Sequence, residues 1–324
     1  MPQPAEVDRI AAEVVALWQD SHASLLAELA EVIDEPSEVR RAARIRELLK
    51  VNGVVLDELN AGTREWLAAK LPEVHALGAA RAAEAVGSAF AWTQPHVDAV
   101  QALAAQTWGE VAPNLREVRA SSRTAIRSLT RDSVRSILLE GQTGSGASRA
   151  LEAAANRAGL WSVTYGNGAR VGMGDYADML ARTVSANAYN AGTLTQTIGD
   201  GFEWVEIFDG PDCGWTSHAD PDKANGTVRP VADAVENSIS HPRCARSFAP
   251  AVGVTSQAEA DRARRYTDDE QAQMAADEAA RAAVATTTLT GRPTAAAVRA
   301  REARAVRTSR STRSPRTPRT VAAS

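Results

Sequence analysis

The chain has 324 residues, of which 44% are hydrophobic and only 5% aromatic, and its formal net charge is −4. This length allows one large domain or two smaller ones, and the scarcity of aromatic side chains favours helices packed through small residues over an aromatic-rich β-sandwich. No run of about 18 uncharged apolar residues occurs, which excludes a membrane-spanning helix. The N-terminal residues lack the pattern of a secretory signal peptide, so we expect a reducing cytoplasm, where cysteines more often hold metal than form disulfides.

The first 145 residues are predicted to form a helical region. Apolar residues recur at helical spacing over residues 7–33, and Pro36-Ser37 breaks this pattern and can cap the next helix. Asn52-Gly53 and Ala61-Gly62 are expected to divide the following stretch into short segments. A longer helical pattern then runs from about residue 95 to residue 138. We expect this region to be a scaffold without chemistry of its own.

Residues 146–252 are predicted to form a small α+β module. A β-hairpin is expected over residues 161–173, because the glycines and asparagine at its centre supply the positive φ that a tight turn requires. Asp175 can then cap a helix with apolar residues on one face, and this helix is expected to end at residues 199–201. Residues 202–208 alternate like a half-buried strand that leads into the first cysteine-containing loop. The predicted fold class is therefore α+β, with a mostly helical N-terminal region.

Two segments follow the module. Residues 253–287 are alanine-rich and charged and are predicted to form a helix, whereas residues 288–324 are dominated by Thr, Ser, Pro and Arg and are expected to be disordered. From residue 299 onward eight arginines oppose one acid, so this stretch carries +7 and the rest of the chain −11. Such a polycation predicts contact with DNA or with an acidic protein, and binding that is sensitive to salt. The arginines of the tail are Arg299, Arg301, Arg304, Arg307, Arg310, Arg313, Arg316 and Arg319.

Both cysteines of the chain lie within one segment of 32 residues, together with two of the five histidines. The order is Cys213-x4-His218, followed by His241-x2-Cys244. Two short pairs of thiol and imidazole ligands joined by a loop are typical of a tetrahedral zinc site, and a closed set of four ligands leaves no position for water. We therefore predict a structural zinc ion held by these four residues, and no catalytic residue.

Alternatives to this structural zinc stay open at the level of sequence. The two cysteines can instead form a disulfide after release from the cell, or the histidines can have a plain packing role without metal. A catalytic zinc with three protein ligands, and with Asp212 or Asp220 as a base, requires an open coordination position. A role of this loop in binding DNA is disfavoured, because residues 209–244 contain six acidic residues against three basic ones.

The ordered set of features between about residues 160 and 250 resembles the phage head morphogenesis domain, the family of minor head proteins typified by the F protein of phage Mu (MuF-like). The features are a hairpin, a helix with Arg182-Thr183 and Tyr189-Asn190-Ala191-Gly192, a strand ending in Asp209, a cysteine, and a closing His-Pro-x-Cys. The Cys-Gly-Trp-x-x-His form looks like the variant found among phages of actinobacteria.

The chain departs from the common pattern of that family at both ligand pairs. The first pair is often Cys-x2-Cys in the family, whereas here His218 is the second member of the pair. The second pair is often followed by Arg-Cys, which is replaced here by Ala245-Arg246. The first difference makes His218 the predicted ligand that the family pattern supports least.

The resemblance implies a minor capsid protein and not an enzyme. Such proteins associate with the portal vertex inside the procapsid in few copies, and they help head assembly or accompany the DNA. The expected partners are therefore the portal and major capsid proteins, a scaffold protein, and packaged DNA through the basic tail, with no membrane contact. The expected location is the capsid interior of the virion, and the host cytoplasm during assembly. The alternative functions are a cytoplasmic zinc-containing nucleic-acid-binding protein and, less favoured, a zinc hydrolase.

Overall fold

Three long helices make up most of residues 5–140. In the computed structural model, α1 spans Ala5–Asp34, α2 spans Glu38–Val86 and α3 spans Gln94–Glu140. The structure describes residues 5–35, 37–140, 155, 158–165, 168–266, 270, 273–274 and 276. None of the helices in these ranges combines the length and the apolar character that crossing a bilayer requires.

The junction between α1 and α2 confirms the predicted break and cap. Ser37 is the N-cap of α2, and its side-chain hydroxyl accepts a hydrogen bond from the backbone N–H of Arg40. At the other end, Gly87 terminates α2 with φ of 73°, a left-handed conformation that glycine adopts without steric cost. Both ends of this 49-residue helix are therefore encoded by local sequence signals.

The prediction that Asn52-Gly53 and Ala61-Gly62 divide this stretch is wrong, because α2 continues through both pairs. Asn52 is fully buried and its Oδ1 accepts a hydrogen bond of 2.8 Å from Trp161 Nε1, so it serves a tertiary contact. A Cβ added to Gly62 would lie 2.7 Å from Leu17 Cδ2 of α1. The glycine therefore allows α1 and α2 to approach closely, and it does not mark a turn.

The remaining elements form the α+β part of the molecule. A hairpin of β1 (Ser162–Thr164) and β2 (Arg170–Gly172) precedes the long helix α4 (Met173–Gly199). A three-stranded antiparallel sheet follows, with the order β4-β3-β5. Its strands are β3 (Trp204–Phe208), β4 (Val228–Pro230) and β5 (Ser247–Pro250), and two short helices, α5 (Val231–Glu236) and α6 (Gln257–Arg262), flank β4 and β5. The predicted α+β class is thus confirmed.

The local predictions for this part agree with the structure except at one helix cap. The hairpin, the helix and the half-buried strand are present, and Val205 and Ile207 form the buried face of β3. Asp175 is not the cap of α4, because the helix begins two residues earlier and Gly172 is its N-cap. Asp175 lies in the first turn instead, where a carboxylate interacts favourably with the helix dipole.

Helix α4 crosses α2 with the two backbones in direct contact. The crossing is made by a glycine from each helix, because a Cβ on Gly192 would overlap the carbonyl oxygen of His75, and a Cβ on Gly78 would overlap that of Tyr189. Thr193 of α4 also donates a hydrogen bond of 3.2 Å to the carbonyl of Gly78. The two glycines therefore determine how closely α4 packs against α2.

Residues 1–271 form one compact unit. Its largest hydrophobic core contains Trp18 of α1, Leu56 of α2 and Val118 of α3 together with Trp161 and Tyr176. The predicted helical region (1–145) and module (146–252) therefore share one core, and the boundary between them lies outside the described residues. In the second unit, residues 272–324, the described residues 273, 274 and 276 are helical.

The predicted helix over residues 253–287 is interrupted. α6 ends at Arg262, and residues 263–266 are not helical. The backbone N–H of Arg265 donates a 2.7 Å hydrogen bond to the carbonyl of Gly226, and its guanidinium pairs with Glu206 at 2.6 Å. These contacts to the sheet hold the chain in a non-helical path despite its helical sequence pattern. The predicted disordered tail of residues 288–324, with its eight arginines, lies outside the described residues.

Candidate metal centre

The four predicted ligands are presented by two short turns at one end of the sheet. Cys213 follows β3, in a tight turn in which its backbone N–H donates to the carbonyl of Gly210 at 3.0 Å. His218 lies further along the same loop. His241 and Cys244 lie in a second turn between α5 and β5, closed by a 3.1 Å hydrogen bond from the Cys244 N–H to the His241 carbonyl. Because β5 pairs antiparallel with β3, the end of β3 lies beside the start of β5, and the two turns meet at the same end of the sheet.

Cys213 lies at the centre of the arrangement. Its Sγ is 3.3 Å from His241 Nε2 and 4.0 Å from His218 Nδ1. The two imidazole rings face each other edge to face, with centroids 4.9 Å apart and planes at 89°. One thiol and two imidazole nitrogens therefore lie within 4.8 Å of one another, close enough to bind a single metal ion.

Cys244 completes the predicted set through a second group of atoms. Its Sγ lies within 4.8 Å of Cys213 Sγ and of a carboxylate oxygen of Asp209, the residue that directly follows β3. The shorter of its two contacts with Asp209 is 3.6 Å, to Oδ1. The structure thus places the other three predicted ligands near Cys213, in two groups that share its thiol, and it adds Asp209, which the sequence prediction did not include among them.

In both histidines, the ring nitrogen that faces away from Cys213 lies next to a hydrogen-bond acceptor. His218 Nε2 is 3.2 Å from Asp212 Oδ2, and His241 Nδ1 is 2.8 Å from the carbonyl oxygen of Pro242. In a neutral imidazole an acceptor at that position favours the proton there, so the nitrogen facing Cys213 carries the lone pair in each ring. Metal-binding imidazoles have this arrangement. The donor set therefore fits a divalent metal that prefers sulfur and nitrogen.

The two aspartates considered above as bases have other contacts. Asp212 is the acceptor opposite His218 and also lies 3.8 Å from Lys223 Nζ. Asp220 accepts hydrogen bonds from the backbone and hydroxyl of Thr216 and from the N–H of Asp222. These bonds lower the pKa of Asp220 to about 2 and stabilise the turn that carries His218.

The buried thiols influence each other strongly. The pKa of Cys244 is lowered, because its thiolate accepts hydrogen bonds from Cys213 and Ser240, and the pKa of Cys213 is raised by the same interaction and by burial. Burial and the nearby Cys244 also raise the pKa of Asp209, against the opposing effect of Arg246. One thiolate is thus already favoured in the folded chain, and thiolate is the form that binds metal.

The fully buried side chain of Arg246 links the segments that surround the centre. The guanidinium of Arg246 donates to Asp209 Oδ2 at 2.8 Å and to the carbonyls of Gly214, Trp215 and Asn237 at 2.7–2.8 Å. It also lies over the ring of Trp215, 4.8 Å from the centroid. The end of β3, the first ligand turn and the end of α5 are therefore linked by one side chain. The sequence showed Arg246 only as a departure from a family pattern, and its signal was a charged residue at the start of a buried strand.

Helix α4 supports the second ligand turn. Asn190 Nδ2 donates 2.9 Å hydrogen bonds to the carbonyls of Ser238 and Arg246, on either side of that turn. The backbone N–H of Arg243 donates to Thr183 Oγ1 at 3.1 Å, and Arg243 has φ of 63°. The helix thus holds in place a turn whose backbone includes a left-handed non-glycine residue.

Comparison of the chain with protein-family models, with curated proteins and with solved structures gives no match. What the chain does must therefore be inferred from the geometry of this centre. Two groups of three side chains that share Cys213 each lie close enough to hold a metal ion, one with His218 and His241 and the other with Cys244 and Asp209.

Proposed function

We propose that the chain is a minor head protein of a tailed phage, a structural component inside the capsid whose α+β module is stabilised by a zinc ion. The observation that supports the zinc assignment is that Cys213 lies close to His218 and His241 in one group and to Cys244 in another, with the ring nitrogen of each imidazole that faces away from Cys213 next to an acceptor. Two sulfur and two nitrogen donors are the ligand set of structural zinc.

The role of this ion is structural in our proposal. Zinc would supply bonds between the loop after β3 and the turn before β5, two segments that are otherwise joined mainly by the hydrogen bonds of Arg246. Four protein ligands leave no position for a reactive water. Asp209 accepts from Arg246 and lies beside Cys244, so it is placed to orient that ligand. We accordingly propose no enzymatic activity.

The residues that carry the resemblance to MuF-like proteins have structural roles in this chain, which supports the assignment to phage heads. Thr183 and Asn190 hold the His-Pro-x-Cys turn, and Gly192 makes the crossing with α2. The proposed partners are the portal and major capsid proteins, with a scaffold protein during assembly. The eight arginines of the tail are proposed to contact packaged DNA or acidic capsid surfaces, by the release of counterions from neutralised phosphates.

Metal content is the first test of the zinc proposal. Protein purified without chelator should contain about one zinc ion per chain, and Cys244→Ser should lose both the zinc and part of the thermal stability. Ser217→Ala, a change at an exposed residue of the same loop, should retain both. A wild-type protein without metal that melts at the same temperature as Cys244→Ser would contradict a structural zinc.

The phage assignment is tested by head association. Heads purified on a density gradient, from cells that produce the phage or induced prophage encoding this chain, should contain it at few copies per head. A phage-encoded protein that is not part of the head serves as the control and should stay at the top of the gradient. Recovery of this chain only with that control protein would contradict the assignment while leaving the zinc site intact.

A further inference from the structure

Helix α3 carries a regular series of arginines. They occur at positions 116, 119, 123, 127, 131 and 135, with a first step of three residues and then steps of four. Between residues 116 and 135 these six arginines oppose only Glu117 and Asp132, which gives a net charge of +4. Because the chain without its tail is strongly acidic, this concentration of positive charge is unusual within it.

The first four arginines of the series lie on the side of α3 that does not face the core. Val111, Leu115, Val118 and Ile126 are buried against the other helices. Three of the arginines, Arg116, Arg123 and Arg127, are exposed, and Arg119 is half-buried. We call Arg116, Arg119, Arg123 and Arg127 the arginine ridge. Its ends are 11 residues apart, about 17 Å along the helix axis.

A cleft between α2 and α3 adjoins the N-terminal end of the arginine ridge. It has a volume of about 340 Å³, and it is lined by Arg64, Arg116 and Arg119 above an apolar floor that includes Leu56. The guanidinium of Arg64 lies over the ring of Trp108, 4.2 Å from its centroid. Arg64 therefore extends the positive surface from α3 to α2.

Much of this charge is not neutralised by the protein. Arg119 pairs with Asp57. Within the part of the chain that the structure describes, Arg64, Arg116 and Arg123 have no carboxylate within ion-pair distance. Other arginines of the helices are paired, since Arg9 of α1 pairs with Glu6 and Arg81 of α2 pairs with Glu84. The guanidinium groups of Arg64, Arg116 and Arg123 are therefore suited to a polyanion, because each of them can neutralise one phosphate.

We infer that the arginine ridge, together with Arg64, is a second DNA-binding surface that contacts the phosphate backbone of a duplex without reading its sequence. Duplex DNA carries one negative charge per about 1.7 Å of its axis, so a ridge about 17 Å long faces several phosphates at once. Guanidinium groups bind phosphate oxygens through two parallel hydrogen bonds, which favours arginine at such a surface. This inference rests on the folded helices and not on the basic tail or the phage assignment.

The test uses the full chain with its eight tail arginines changed to glutamine, so that binding by the tail is removed. Affinity for a fluorescent 25-bp DNA duplex is measured by anisotropy at several salt concentrations, for two unrelated sequences. The double variant Arg116→Gln/Arg123→Gln should bind both duplexes more weakly, and the slope of log affinity against log salt should become shallower by about 2. Arg116→Lys/Arg123→Lys should retain most of the binding.

The control variant is Arg9→Gln/Arg81→Gln, which changes the net charge equally but lies on other helices and removes paired arginines. It should leave the salt slope unchanged, and the melting temperatures of all variants should agree. Absence of DNA binding by the chain without tail arginines would overturn the inference. Equal slopes for the ridge variant and the control would overturn it too, as would a preference for polyglutamate over DNA.

Discussion

At the scale of single residues, the centre depends on one buried ion pair as much as on its thiols. Arg246 and Asp209 both have fully buried side chains and lie 2.8 Å apart. Removing one member of such a pair leaves an uncompensated charge in a low-dielectric environment, whereas the net benefit of the intact pair is small. Arg246 also donates hydrogen bonds to three backbone carbonyls, which no apolar side chain can do.

Replacing Arg246 should therefore be costly. Arg246→Gln is expected to lower the free energy of unfolding by about 3–5 kcal/mol, as measured by urea denaturation. Adding Asp209→Asn should recover part of this loss, because the unpaired carboxylate is then removed.

Arg229→Gln is the matched control for this prediction. Arg229 also lies over the Trp215 ring, at 4.7 Å, but its partner Asp222 is exposed. Loss of a surface ion pair costs less than about 1 kcal/mol. Similar decreases in the free energy of unfolding for Arg246→Gln and Arg229→Gln would show that burial of the Arg246 pair does not raise the cost of breaking it.

At the scale of secondary-structure elements, the contact between α2 and α4 is set by the absence of side chains. Gly78 and Gly192 bring the two backbones together, and Thr193 adds a hydrogen bond across the crossing. In an isolated helix glycine is destabilising by about 1 kcal/mol relative to alanine. At this crossing alanine is expected to be destabilising relative to glycine, because the added methyl group has no space.

Gly192→Ala should destabilise the protein by about 1–3 kcal/mol or more through overpacking, measured as a shift in the denaturation midpoint. Gly109→Ala is the control, since Gly109 lies within α3 and an added Cβ there would meet no atom within 4 Å. That variant should be neutral or more stable. A Gly192→Ala protein as stable as Gly109→Ala would mean that the two helices can separate without cost.

Sequence patterns predicted most of these elements, and the failures have a common physical cause. Periodicity identified α4 and β3 because burial of one face dictates the pattern, and the hairpin was identified from its turn residues. The glycines of α2 were interpreted as breaks, whereas Gly62 serves a contact with Leu17 of another helix. The four candidate ligands of the centre were predicted from their spacing. Asp209 and Arg246 were missed, because their roles arise only when β3 and β5 pair.

At the scale of the whole molecule, stability should depend on pH through a buried pair of histidines. His75 Nε2 and His96 Nδ1 are 2.9 Å apart, and both residues are buried. Burial and the neighbouring imidazole lower the pKa of His75 to about 4, and burial lowers that of His96. The ordinary pKa of histidine in an unfolded chain is about 6.5.

The sign of the effect follows from these pKa values. Between about pH 6.5 and pH 4 the unfolded chain binds a proton at His75 that the folded chain does not, so the free energy of unfolding falls as the pH falls. The slope for one such group approaches 1.4 kcal/mol per pH unit. His75→Phe, which keeps an aromatic ring next to Trp92, should show a shallower fall over this window in urea denaturation. An unchanged slope would mean that His75 does not titrate differently on folding.

The shared hydrophobic core also has a consequence for inheritance. Trp161 sits among residues of the three long helices and donates to Asn52 of α2, which lies 109 positions away in the chain. Recombination that exchanged only the segment after residue 158 would separate these partners and leave a fully buried indole without its acceptor. Functional exchange between related genes should therefore transfer the helices and the α+β module together, as a single heritable block.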